Sequence, residues 1–237
     1  FKGIAFLCRE AQHGVTPFSA EDLSVLYDLI CRLLMRGNKN TIVKHSSQNL
    51  IIPDFAETNY GETKPVLFIY TSLINFLCHG LSSPGTQGDA MNGADVRIKF
   101  FNQVSTLDTV ALATLSKIQL IALIWVVEMI KILNRFDERS GDELFNFDKI
   151  LETQSRNSII ESLSKTFHLP ISVSKPTDIK NASIWETSSK GLSTGGFEKR
   201  KQNIEKTALE QKDLISGGVE WVQSLCNRNV MFRSLSR

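Results

Sequence analysis

Between Lys117 and Glu128 lie ten residues without a charge, and from Leu120 to Val127 every position is apolar. A helix that is apolar on all sides cannot lie on a surface; neighbours must enclose it. The run is well short of the ~20 residues that a bilayer span needs, so it reads as the middle of a buried helix rather than a membrane anchor. The surrounding pattern extends that helix from Thr106 to Phe136, with Asp108 near its positive end and Arg135 near its negative end, as the helix dipole prefers. Whatever else the chain does, it is expected to build layers around this element.

The flanking sequence supplies further helices. Ser19 and Asp22 have the spacing of a capping box, and Leu23, Leu26, Tyr27, Ile30, Leu33 and Leu34 recur at threes and fours, which predicts a helix from about Ala20 to Arg36 that Gly37 ends. Residues 38–62 lose periodicity and read as a loop. Pro65 is placed to open a helix that runs to His79 and stops at Gly80. The stretch from Leu81 to Gly93, rich in Ser, Gly and Pro, reads as an exposed, mobile loop. From Val96 to Phe101, Val96, Ile98 and Phe100 alternate against Arg97, Lys99 and Phe101 with the period of a strand, though six residues are too few to refuse a helix. Ser140 and Glu143 suggest a second capping box and a helix to about Gln154, followed by a short one from Ser158 to Phe167.

Residues 170–196 hold two prolines and many Ser, Thr, Lys and Gly without a period, which marks a linker or extended arm. Two helices are expected after it, Phe197 to Leu214 and Val219 to about Leu235, broken at Ser216-Gly217-Gly218. The fold class is therefore mainly α, with a helical body over 1–169, an arm over 170–196 and a basic C-terminal helical pair over 197–237. The apolar stripe of the first helix of that pair, Phe197, Ile204, Ala208 and Leu209, is thin. Residues from about 197 onward are accordingly expected to pack on another chain or a partner rather than fold back.

Composition narrows the class further. At 237 residues the chain can bury a core without staples, and 42% hydrophobic with 22% charged residues is ordinary globular usage. Cys8, Cys31, Cys78 and Cys226 are far apart and mostly inside apolar runs, so they read as buried free thiols of an intracellular, more cytoplasmic than secreted, protein. The sequon at Asn181 is then an accident of composition. Net charge is +2, too small to name a polyanionic or membrane partner. It is unevenly placed: residues 1–154 carry 14 basic and 17 acidic side chains, residues 155–237 carry 13 and 8.

Most reactive constellations are disfavoured. Gly191-Leu192-Ser193-Thr194-Gly195 has the nucleophile-elbow spacing, but no apolar strand precedes it and all four histidines come before Ser193, against the hydrolase order. Neighbouring Cys78 and His79 cannot both reach one ion from a regular helix, and the acids from Asp137 to Asp148 lack the spacing of a calcium loop. Phosphate-loop and dinucleotide fingerprints do not occur. No cofactor and no metal is expected.

Two basic sets carry a mechanism. Thr194-Gly195-Gly196 enters a helix whose first turn holds Lys199, Arg200 and Lys201, with Lys190 just upstream. Free N–H groups at a helix start attract anions, glycine permits close approach, and basic side chains add charge. If these residues contact phosphates, reversing Lys199, Arg200 and Lys201 is expected to weaken binding to every sequence alike with no loss of thermal stability, because exposed lysines hold little of the fold together; the alternative is a solvated helix start. Arg97, Lys99, Phe100 and Phe101 form the second set, either a platform for single-stranded nucleic acid or a half-buried edge strand. The leading expectation is a non-catalytic interaction or assembly subunit, acting through a protein partner or self-association. An RNA-binding nucleoprotein or capsid subunit that grips single-stranded RNA through these residues is the alternative, and an enzyme on an unfamiliar helical scaffold the third.

Overall fold

A computed structural model of the protein describes residues 66–104, 114–136, 142–151 and 196–228, together with residues 19, 21, 22, 24–26, 28, 29, 161 and 164. These comprise two strands and seven helices in the order β1 (Leu67–Tyr70), α1 (Leu73–Ser82), α2 (Pro84–Asn92), α3 (Ala94–Val104), α4 (Lys117–Arg135), β2 (Glu143–Asn146), α5 (Asp148–Leu151), α6 (Gly196–Glu210) and α7 (Lys212–Arg228). The fold is mainly α, as its periodicity predicts. The described part of residues 21–29 is also helical. Its start is the expected capping box: Ser19 Oγ accepts from Asp22 N–H at 3.0 Å, and Asp22 Oδ2 accepts from Ser19 N–H at 3.0 Å.

Helix α4 is the centre. Each residue from Leu120 to Val127 is buried, and α1, α2, α3 and α7 all pack against it. It begins later than its pattern predicts, at Lys117, because Gln119 Oε1 accepts from the Ser116 N–H at 2.8 Å and fixes the entry there. Asp108 lies outside the described residues. Among the described residues no helix is long and apolar enough to cross a membrane.

Four local expectations are overturned, each by a context that the pattern does not carry. The segment after Pro65 begins as strand β1, and α1 starts only at Leu73, where Ser72 Oγ accepts from Asn75 N–H at 3.4 Å. A short apolar run fits either period, and pairing with β2 decides it. Glu143 is not the third residue of a capped helix but the first of β2, which runs parallel to β1 with Leu67 opposite Glu143 and Tyr70 opposite Asn146. The supposed mobile loop 81–93 is largely helix α2. Ser83 is its N-cap, with its hydroxyl accepting from Thr86 N–H at 3.3 Å, and Pro84 occupies the first helical position where its missing N–H costs nothing. Residues 96–101 belong to helix α3, not to a strand.

The C-terminal helices also differ from expectation. They fold back: α6 packs on α1, and α7 on both α4 and α1, burying Ile204, Ile215, Val222, Leu225 and Cys226 in the same core as the central helix. Of the α6 stripe, Ile204 is buried and Ala208 packs against the core, while Leu209 is 82% exposed. Ser216-Gly217-Gly218 lies inside α7, and the break falls at Gln211 instead. Gly218 is a point of close approach: a Cβ there would stand 2.9 Å from Ile118 and 3.0 Å from Leu77. The pair of glycines is read as a turn from sequence; it is half a packing notch.

Cys78 and Cys226 are free and buried, as expected, whereas Cys8 and Cys31 lie outside the described residues. Burial pushes both thiols above their ordinary range. Native alkylation at pH 8 is therefore expected to be slow at Cys78 and Cys226 and fast after denaturation. Peptide mapping that found either labelled within minutes in the native state would contradict their enclosure.

Candidate functional site

Both strands end on the same edge of the small sheet, and the turns that leave them are cross-linked there. The Asp148 carboxylate, at the start of α5, accepts from Ser72 N–H at 2.7 Å and from the Thr71 hydroxyl. It thus holds the first turn of α1, where a carboxylate meets free N–H groups and the positive helix end. The Trp125 indole N–H donates to Thr71 O at 2.8 Å and ties this corner to α4. Phe147 N–H donates to Tyr70 O at 2.7 Å and closes the sheet at the same level.

Helix α6 crosses this corner. Gly196, its first residue, has φ of 34°, a left-handed conformation that glycine takes without strain. Arg200 turns inward and places its guanidinium 5.1 Å from the centroid of the Phe147 ring. It is partly buried, and its Nε is enclosed with no hydrogen-bond partner among the described residues. Burial lowers its pKa and the Asp148 charge opposes that, while the group stays cationic at neutral pH. On α1, His79 stands close enough for the Arg200 charge to act on it. His79 is exposed, and partial loss of surrounding water, with the Arg200 charge second, holds its pKa below the ordinary value.

The basic residues singled out from sequence fare differently. Lys199 and Lys201 are exposed on either side of Arg200. Lys190 and Gly195, with the Gly191–Gly195 motif, lie outside the described residues. Arg200 is only partly exposed, unlike its two neighbours, so a stability cost of reversing the three charges together would come from it. Arg97 is 3% exposed and ion-paired with Asp89, whose main-chain carbonyl it also reaches at 2.8 Å. Phe101 is fully buried, and the Lys131 ammonium lies 5.6 Å from the Phe100 centroid. Of that second set, Lys99 remains exposed. A strand would have put Arg97 and Lys99 on one face; the helix separates them by 200°, and one is buried. Sequence reasoning weighed His79 and Asp148 only as metal ligands and did not single out Phe147, because no spacing links it to Arg200.

A second feature is an open groove of about 280 Å³ between α1 and α7, lined by Ile74, Ile215, Ser216, Val219, Glu220 and Gln223. It is smaller than the roughly 300–1,000 Å³ of enclosed small-molecule pockets and offers its apolar floor to solvent. Ile74 is 51% exposed. Among the described residues no group of three His, Cys, Asp or Glu is placed to hold a metal ion. No protein-family model, curated protein or solved structure matches the chain.

Proposed function

We propose that the chain is a non-catalytic assembly subunit that binds a second copy of itself head to tail. The observation that carries this reading is a pair of separate apolar surfaces on one chain. One is the α1/α7 groove with Ile74. The other is on the helical residues 21–29, where Val25 and Leu29, one turn apart, are 63% and 44% exposed. Each surface leaves apolar side chains in water that contact with the other would cover. Because the two surfaces differ, the contact is heterologous and generates rings or filaments rather than a closed dimer.

The full chain is expected to be larger than a monomer by light scattering. Ile74→Glu and the double variant Val25→Glu/Leu29→Glu should each be monomeric with unchanged melting temperature, since the replaced residues are exposed. Mixing the two variants restores one intact groove and one intact helix, and a 1:1 dimer is expected. A monomeric wild type, or variants that assemble as it does, would refute the reading. Contact with single-stranded RNA is a second reading, supported by the exposed Lys199 and Lys201 at the start of α6.

A further inference from the structure

We draw no further inference here: the strongest candidate, the exposed apolar surface at the junction of α6 and α7, where Leu209 and Leu214 are 82% and 49% exposed, carries nothing because nothing in the structure shows what covers it.

Discussion

Asp142→Ala is expected to destabilise the protein by about 3–5 kcal/mol, the range for removing one partner of a buried ion pair. The Asp142 side chain is 0% exposed, and its two oxygens do different work. Oδ1 accepts from Val66 N–H at 2.8 Å and positions the start of β1; Oδ2 meets Arg135 Nη1 at 3.4 Å in the last turn of α4. Truncation leaves a largely buried guanidinium and loses the Val66 bond together. Urea denaturation should show a lower midpoint with the slope preserved. A single variant within about 1 kcal/mol of wild type would mean that this junction does not hold β1 and α4 together.

Gly80→Ala is the second large effect. In an ordinary helix interior the change to alanine is worth about 1 kcal/mol in the stabilising direction. At this position a Cβ would stand 2.5 Å from Ile121 Cγ2, a methyl on the fully buried, β-branched Ile121 of the central helix. That methyl cannot swing aside, because β-branched side chains in helices have one strongly preferred rotamer. Overpacking of this kind costs about 1–3 kcal/mol, so the net expectation is destabilisation, with a lower melting temperature in thermal unfolding. Gly217→Ala is the internal comparison. Nothing lies within 4 Å of its Cβ position, so it should stabilise α7 by roughly 0.5–1 kcal/mol. The two substitutions, identical in chemistry, should move the melting temperature in opposite directions; the same sign for both would refute the close packing of α1 on α4.

The legible parts of this molecule are those whose signal is long or local. The enclosure of Leu120–Val127 follows from eight successive apolar positions, and no arrangement of neighbours could leave them in water. The capping box at Ser19 and Asp22 is legible because its partners are three residues apart. The thiol at Cys78 is legible because the apolar run Phe76-Leu77-Cys78 must be buried, whereas Cys226, between Leu225 and Asn227, is buried by its place on the core side of α7. Where the signal is short, the reading fails in a consistent way. The same apolar residues between Val66 and Cys78 divide into a strand and a helix, and Ser83-Pro84, a turn signal in isolation, starts a helix once α4 is there to receive it.

The candidate corner belongs to the other category. Arg200 was visible as one of three consecutive basic residues, but not as the one of the three that turns inward. That distinction comes from the direction in which α6 crosses α1 and the ends of β1 and β2. His79 and Arg200 are 121 positions apart in the chain, and Asp148 and Thr71 are 77 apart. Residue pattern alone sets a mainly helical chain, the identity of its central helix and the basic character of the start of α6. The parallel strand pair, the return of the C-terminal helices onto the core and the meeting of Arg200 with Phe147 arise only in the folded chain. The physical reason is range: periodicity and capping act within a turn or two, whereas strand pairing and helix crossing are fixed by apolar burial between segments that carry no mark of each other in sequence.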